Sequence, residues 1–459
     1  MSTPAIPSTV RAVSKWTTPR LLQTALILIW AAALLFFGVA LAGVRATRSV
    51  VQTVGKDAVP SILAAQRLKV SLSDLDANVV NELIVPPGTS ASSIKGYVTR
   101  RQEITDSLIR AAENITYDDL ERKPITDLTN ALSAFERLAI KARTLHQRGD
   151  ARGTVSTYRD ALTQLHGSLL PAADRLAKAN TDALRRRESS LGLQTGILTT
   201  LTVLTAFALL AALVGTQLLL SQRTRRTLNP ALLAASVVAV LTAVTVLRAF
   251  SGVKEEVRVA REDAFQSLSI LWQARSLAYD ANSDESRWLF DRERRSDLEK
   301  DFFDKTTLLL KLPTGQSYDS FVAATSAASL PSGSKGLFAQ ELANITFAGE
   351  REAAQKTVRA YGVYYGRDRQ IRALENAGQH AEAVRFCISL APGDSNWAYA
   401  RFDEALDETI MINQTAFEAA IEGGFRRLRG LDIGIPLAVL ITGVLALVGI
   451  RPRLREYDV

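Results

Sequence analysis

Four stretches without any charged side chain divide the sequence into alternating apolar and polar parts. These stretches are Leu21–Val44, Leu191–Ser221, Ala231–Leu247 and Ile433–Ile450. Because about 20 apolar residues in a helix cross the hydrocarbon core of a bilayer, we expect four transmembrane helices. They enclose two long polar segments, residues 45–190 and 248–432. The short remaining parts are residues 1–20, 222–230 and 451–459.

The polar segment between the first two spans has the periodicity of helices. Its first helix carries one apolar stripe with steps of three and four residues, formed by Leu68, Leu72, Leu75, Val79 and Leu83. Pro86-Pro87-Gly88 predicts the end of this helix. Two further helices are expected from about Ser92 to Glu113 and from about Asp118 to Gln147. A fourth helix starts near Ala151 and runs toward the second span, with Pro171 as a candidate break.

The second polar segment has a comparable pattern near its end. Steps of three and four residues predict the seam of an antiparallel bundle, formed by Phe402, Ala405, Thr409, Ile412, Ala416 and Ala419. Neither segment shows the period-two alternation of strands. The predicted fold class is therefore an all-α membrane protein, with four transmembrane helices and two extracytoplasmic four-helix bundles.

Short matches between the polar segments predict a tandem duplication of one module. Asp57-Ala58 corresponds to Asp263-Ala264, and Asp76-Ala77-Asn78 to Asp280-Ala281-Asn282. Further matches pair Asn114-Ile115-Thr116 with Asn344-Ile345-Thr346, and Leu145, Gly149 and Val155 with Leu374, Gly378 and Val384. The offset increases along the chain, which places an insertion in the second copy between Pro313 and Gly336.

Basic residues predict which side of the membrane each part occupies. The short parts contain Arg11, Lys15, Arg20, Arg223, Arg225, Arg226, Arg451, Arg453 and Arg455. Short loops rich in Arg and Lys stay in the cytoplasm. We therefore expect a multi-pass protein of the bacterial plasma membrane with both termini in the cytoplasm and both bundles outside.

The third span places a small residue at every fourth position, namely Ala231, Ala235, Ala239 and Ala243. Small residues at this spacing let helix backbones approach closely in a membrane. Gly38 and Ala42, and Ala211 and Gly215, repeat the spacing in the first and second spans. We expect a helix–helix seam here; the alternative is that the alanines reflect an alanine-rich composition.

The remaining composition gives little evidence of chemistry. The net charge of +8 is spread along amphipathic segments, which argues against a nucleic-acid surface. Cys387 is the sole cysteine, and the three histidines do not pair at ligand spacing. We therefore expect no catalytic residues, no metal and no cofactor, and thus no enzyme.

One polar cluster is a candidate contact site outside the membrane. It consists of Asp280, Asp284, Glu285 and Arg287. These side chains are candidates for contact with a ligand or a partner. The alternative interpretation is a solvated helix face.

The layout also resembles known receptors. Residues 56–63, Lys-Asp-Ala-Val-Pro-Ser-Ile-Leu, lie just beyond the first span and resemble the first bundle helix of bacterial chemoreceptors and sensor histidine kinases. In its doubled form, without cytoplasmic signalling helices, the layout is similar to the GlnX family of actinobacterial four-span membrane proteins. That resemblance implies coupling of an extracytoplasmic amino-acid-binding lipoprotein to a soluble Ser/Thr kinase. It transfers no individual binding residue to this chain.

These patterns favour a non-enzymatic transmembrane signal transducer. A structural or assembly protein of the cell envelope and an accessory subunit of a transporter are the alternatives. Homo-oligomers are compatible with the sequence. The candidate contacts to a cytoplasmic partner are Arg223, Arg225, Arg226, Arg451, Arg453 and Arg455. The same arginines are equally suited to anchoring at anionic lipid headgroups.

Overall fold

A computed structural model describes residues 18–113, 119–224, 228–323 and 330–455. Within these ranges every extended regular element is a helix, and the only β-bridge joins Lys311 to Lys335. The α-helices are α1 (Thr18–Gln52), α2 (Val59–Leu83), α3 (Ala91–Glu113), α4 (Asp119–Gln147), α5 (Ala151–Gln164), α6 (Leu170–Thr224), α7 (Pro230–Arg258), α8 (Gln266–Phe290), α9 (Arg295–Leu309), α10 (Tyr318–Ala323), α11 (Leu337–Ala343), α12 (Glu350–Asn376), α13 (His380–Ile388), α14 (Ser395–Leu428) and α15 (Leu431–Arg455).

Four helical segments are long and apolar enough to cross a membrane. They are Thr18–Leu83, Ala151–Gln222, Pro230–Phe290 and Ser395–Arg455. Each contains one of the four apolar stretches, so the expectation of four candidate spans in an all-α protein is confirmed. Short π-helical turns interrupt three of these helices, at Thr53–Ala58, Leu165–Leu169 and Val259–Phe265.

The chain divides into two compact units. One, here called the apolar unit, comprises Met1–Gln52, Arg187–Val257 and Ile421–Val459. The other, here called the bundle unit, comprises Thr53–Arg186 and Arg258–Ala420. Both polar segments thus contribute to a single compact unit. Their assignment as separate domains on the outer side of a membrane stays a prediction.

In the apolar unit the alanine stripe of α7 faces other helices. Ala235, Ala239 and Ala243 are buried, and Ala231 is half-buried. Near the start of α7, the Asn229 side chain donates a 2.7 Å hydrogen bond to the Gly449 carbonyl of α15. The stripe is therefore buried over most of its length, and its role as a helix–helix seam in a membrane stays a prediction.

Two glycines of the apolar unit do not make the close helix contacts that their spacing predicts. A Cβ atom added at Gly38 or Gly215 would have no heavy atom within 4 Å, so these two positions are not close helix contacts. The close contacts lie elsewhere. A Cβ at Gly43 would lie 2.7 Å from Phe250, and one at Gly443 would lie 2.5 Å from Trp30. Spacing alone misses these sites because the partner is a large side chain on another helix.

We expect Gly443→Ala to weaken the packing of α15 against α1. The new methyl group would overlap the Trp30 ring, and overpacking costs about 1–3 kcal/mol. Gly434→Ala is the matched control, because its Cβ would meet open space on the same helix. Thermal unfolding of the full chain in detergent should show a lower midpoint for Gly443→Ala only. Equal midpoints for both variants would contradict this contact.

The first bundle, made by α2 to α5 and the start of α6, has one continuous apolar core. The predicted stripe of α2 is confirmed, since all five of its residues are at most 3% exposed. Against them pack Ile104 of α3, Phe135 of α4, and Leu165 and Leu169 of the π-helical turn. Helix α2 ends at Leu83, three residues before Pro86 of the Pro-Pro-Gly sequence that predicts its end.

Pro171 does not break the fourth helix of this bundle. The chain remains helical from Ala151 through Pro171, and Leu165–Leu169 widens into a π-helical turn just before it. Proline lacks an N–H and clashes with the carbonyl one turn earlier. A widened turn relieves that clash without ending the helix.

The second bundle is built from α8, α9, α12 and α14, with the short helices α10, α11 and α13 between them. The predicted seam of α14 is correct at Phe402, Ala405 and Thr409, which are buried. Farther along it is wrong, because Asn413, Phe417 and Ala420 are buried in place of Ile412, Ala416 and Ala419. A straight helix turns every 3.6 residues, so its buried face drifts away from a 3.5-residue pattern.

Corresponding positions of the two polar segments share local structure. The two Asp-Ala pairs lie in π-helical turns, Thr53–Ala58 and Val259–Phe265. Gly149 and Gly378 both follow a helix with positive φ, at 76° and 77°. Such a left-handed glycine is a common helix end. These similarities are consistent with a duplication, which stays a prediction. The Asn114-Ile115-Thr116 match lies outside the described residues.

Candidate functional site: the charged interface between the bundles

Helices α2 and α8 lie side by side in the bundle unit and run in the same direction. Gln66 of α2 donates a 3.1 Å hydrogen bond to Ser269 of α8. Nearer the other end, Ser286 of α8 donates a 2.6 Å hydrogen bond to Asn81 of α2. The two pairs are separated by 203 and 205 residues in sequence, so the helices are parallel. Equivalent positions of the two bundles therefore meet.

A buried arginine connects the bundles at the centre of this interface. The Arg287 guanidinium lies 2.6 Å from Asp76 of α2, 3.0 Å from Asp280 and 2.5 Å from Asp284. Its side chain is 2% exposed, and those of Asp76 and Asp284 at most 1%. Tyr158 of α5 donates to Asp76 at 3.0 Å. Both aspartates of the repeated Asp-Ala-Asn sequence thus bind one arginine.

A second cation completes this buried network. The Lys305 ammonium of α9 lies 2.7 Å from Asp280 and 2.6 Å from Asp284. The His166 ring lies 3.6 Å from Asp280, and burial lowers the pKa of His166, which favours its neutral form. The network therefore contains three carboxylates and two cations; the side chains of Arg287, Asp76 and Asp284 are at most 2% exposed, whereas those of Asp280 and Lys305 are 10% and 16% exposed.

Burial and charge act in opposite directions on the carboxyl groups. For Asp280, burial favours the neutral acid, but Lys305 and Arg287 outweigh it and hold the pKa of this carboxyl well below its usual range. For Asp284, burial outweighs the same two cations and the pKa is raised. Burying a charge is costly unless it is paired and hydrogen-bonded. The network is therefore stable only while all its members are in place.

Two more contacts tie the bundles together beside this network. Arg159 of α5 forms a bidentate pair with Asp291, at 2.7 and 2.6 Å. The rings of Tyr158 and Phe290 meet edge to face with centroids 5.5 Å apart. A paired fork of this kind fixes orientation as well as distance. The interface combines apolar packing with ionic contacts of defined geometry.

The four residues of the candidate contact site outside the membrane do not share the same partners. Asp280, Asp284 and Arg287 belong to the buried network, while Glu285 points to other partners. Ser395 of α14 donates to Glu285 at 3.3 Å, and burial followed by the charge of Asp368 raises the pKa of Glu285 far above its usual value. The alternative of a solvated helix face is wrong, since all four residues are buried. Contact with a ligand or a partner stays a proposal.

The structure describes part of the candidate contacts to a cytoplasmic partner. Arg451 and Arg455 are exposed and Arg453 is half-buried, all in the last turns of α15. Arg225 and Arg226 lie outside the described residues, and of Arg223 only the backbone is described. The proximity of the two arginine groups therefore stays a prediction.

Three members of the network, Asp76, Tyr158 and Lys305, could not be recognised as site residues from sequence patterns. Asp76 stands out in the sequence only as part of a repeat, and Tyr158 and Lys305 belong to no distinguishing pattern. One sequence feature could have indicated Asp76 as a site residue. It occupies the position that matches Asp280, and the apolar stripe of its helix leaves little room for a solvated carboxylate. Among the described residues, no group of three or more His, Cys, Asp or Glu side chains is placed to hold a metal ion.

Comparison with known proteins finds a family similarity in the segment that contains the first bundle. Residues 50–189 match the model of the actinobacterial sensor domain. No curated protein and no solved structure matches the chain. The family match and the four apolar helices together support an actinobacterial membrane sensor. The matched range contains Asp76, Tyr158, Arg159 and His166, the first bundle's side of the charged interface.

Proposed function

We propose that this chain is a non-enzymatic transmembrane transducer that couples an extracytoplasmic ligand or solute-binding protein to a cytoplasmic Ser/Thr kinase. The observation that carries the proposal is the match of residues 50–189 to a sensor domain. A sensor domain favours a non-catalytic role. The resemblance to the GlnX family supplies the finer expectation of amino-acid sensing and kinase regulation.

The charged interface offers a physical route for a signal. Helix α2 belongs to the continuous helix Thr18–Leu83, and α8 belongs to Pro230–Phe290. Both helices therefore lead from the interface toward a candidate span. Buried ion pairs with defined geometry allow few arrangements, and packed interfaces of this kind switch between discrete states. A stimulus that changes how α2 and α8 meet at Arg287 would displace the helices that continue into the membrane.

Output would occur on the short basic parts. A cytoplasmic partner that docks on them would detect the change. The loop with Arg223, Arg225 and Arg226 and the end of α15 are the candidate contacts. A kinase with an acidic docking face would match their charge.

Replacing Arg223, Arg225 and Arg226 together with Gln tests this output. We expect normal amounts of the variant in native membranes, but loss of the Ser/Thr kinase activity that co-purifies with the wild-type chain after crosslinking. The three-fold Lys replacement is the control, since it retains the charge that anchors the loop. Leaving Arg451, Arg453 and Arg455 unchanged preserves the signal for orientation.

A topology reporter makes the result interpretable. A reporter that works only in the cytoplasm should be active after Val459 and inactive at Gly88 or Gly333. A correctly oriented Gln variant that retains the kinase activity in full would show that the loop is only an anchor. Absence of kinase activity from the wild-type complex would instead favour a structural role in the envelope.

A further inference from the structure

Two buried carboxyl groups of the second bundle lie outside the charged network. Glu341 is in the last turn of α11 and is 1% exposed, and Glu350, the first residue of α12, is fully buried. Among the described residues, no hydrogen-bond donor pairs with either oxygen of Glu341 or with Oε1 of Glu350. Buried polar atoms are usually paired, so three unpaired oxygens in one place need an explanation.

A proton is the ligand that fits this pair. The unpaired oxygens have almost no accessible surface, so neither a water molecule nor a metal ion has room beside them. Burial, with the adjacent Glu350, raises the pKa of Glu341 to about 8, while Ser267 of α8 acts in the opposite direction. No cation of the described helices acts on this carboxyl group. One proton between two adjacent buried carboxyl groups replaces their repulsion with a hydrogen bond.

Asn344, three residues after Glu341, connects the pair to the π-helical turn Val259–Phe265. The Asn344 amide donates to the Asp263 carbonyl at 3.1 Å and to the Ser267 hydroxyl at 2.9 Å. Asp263 lies within the π-helical turn, and Ser267 lies in the first turn of α8. Helices bend at such turns, which are frequent at functional sites. One side chain therefore caps the turn through which α7 continues into α8.

Glu350 holds the other end of the same loop. Its Oε2 atom accepts hydrogen bonds from the backbone N–H groups of Thr346 and Phe347, at 2.7 and 2.9 Å. Residues 344–349 are thus held between the Asn344 side chain and the Glu350 carboxyl group. Because Glu341 belongs to the short helix that ends just before Asn344, a movement of Glu341 would also displace the cap.

We propose that Glu341 and Glu350 form a proton-binding site that controls this π-helical turn. With the proton bound, the two carboxyl groups stay in contact and Asn344 caps the turn. When the proton leaves for bulk water, the two carboxylates repel each other, Glu341 moves out to solvent, and the Asn344 amide is withdrawn from the Asp263 carbonyl. The site stands on its own geometry, and its use as an input of the transducer rests on the proposed function.

Rising pH favours the released state. In the capped state Glu341 keeps its proton up to a pKa of about 8, whereas an exposed Glu341 in the released state loses it near its ordinary pKa of 4.5. Between these two values the released fraction rises by about tenfold per pH unit, and above the higher value the rise ends.

Hydrogen–deuterium exchange of the full chain in detergent, read by mass spectrometry at pH 5 and pH 8, tests the switch. After correction for the intrinsic exchange rate, the opening of residues 259–267 and 344–350 should increase on the order of 100-fold in the wild-type chain. Glu341→Gln retains the shape of the protonated acid and should keep both segments closed at both pH values. Its control, Glu352→Gln at an exposed site of α12, should follow the wild type.

A second pair of variants tests the cap. Asn344→Ala should open residues 259–267 at both pH values, whereas Gln340→Ala, at an exposed site of α11, should follow the wild type. An increase spread evenly over the bundle unit would indicate a loss of stability only and would overturn the switch. No increase, an unchanged pH response in Glu341→Gln, or a closed turn in Asn344→Ala would also overturn it. The measurement requires no kinase, so a failure of the switch is distinguishable from a failure of the transducer.

Discussion

Replacing Arg287 with Met is expected to destabilise the bundle unit more than any other single substitution in the interface. The side chains of Asp76 and Asp284 are at most 1% exposed, and the change would leave both buried without their arginine partner. It would also remove the contact of Arg287 with Asp280. Removing one member of a buried ion pair costs about 3–5 kcal/mol. Because methionine fills similar space, the loss measures charge and not a cavity.

Thermal unfolding of the full chain in detergent measures this effect. A unit of this size should lose on the order of 10 °C in its melting midpoint. Arg292→Met is the matched control, since the Arg292 side chain is 63% exposed and close in sequence. Exposed ion pairs contribute about 0–1 kcal/mol, so that variant should melt close to the wild-type chain.

A second substitution separates charge from packing. Asp76→Asn in the Arg287→Met background removes one uncompensated carboxylate, and the double variant should recover part of the lost stability. Asp280 and Asp284 would still lack Arg287 and would have to share Lys305, so the recovery should be incomplete. A single variant that melts like the wild type, or a double variant less stable than the single, would contradict a network held by Arg287.

Local patterns predicted the elements of this fold well, because the positions that a helix buries recur with its own period. The α2 stripe is correct for that reason. The α14 seam fails after Thr409, since a pattern of 3.5 residues drifts against a helix of 3.6. The span positions Gly43 and Gly443 were also missed, because their close contacts depend on Phe250 and Trp30 of other helices.

The charged interface could not be predicted from sequence for a similar reason. Asp280, Asp284 and Arg287 follow one another at helical spacing, which is also the pattern of ion pairs on a solvated face. Whether such a face is solvated depends on the neighbouring helix. Here that neighbour supplies Asp76, which is 211 residues away from Arg287. The repeated Asp-Ala-Asn sequence occurs in both helices but does not indicate that the two copies lie in contact.

A separate buried carboxyl makes the stability of the bundle unit depend on pH. Glu341 of α11 is 1% exposed. Burial, with the neighbouring Glu350, raises its pKa from 4.5 to about 8, although Ser267 acts in the opposite direction. Glu350 itself accepts hydrogen bonds from the backbone N–H groups of Thr346 and Phe347, at 2.7 and 2.9 Å. Glu341 therefore carries the proton at neutral pH.

We expect Glu341→Gln to remove a loss of stability that the wild-type chain shows as the pH rises. Between pH 4.5 and about 8 the folded chain holds a proton on Glu341 that the unfolded chain has released, so folding takes up a proton and the free energy of unfolding falls with rising pH. The fall amounts to roughly 3–5 kcal/mol and ends above the folded pKa. Glutamine has the shape of the protonated acid at every pH. Melting midpoints of the variant should match the wild type near pH 5 and exceed it near pH 8.5. Glu352→Gln, at an exposed site of α12, should instead follow the wild-type curve, and parallel curves for all three chains would show that Glu341 is not the group responsible.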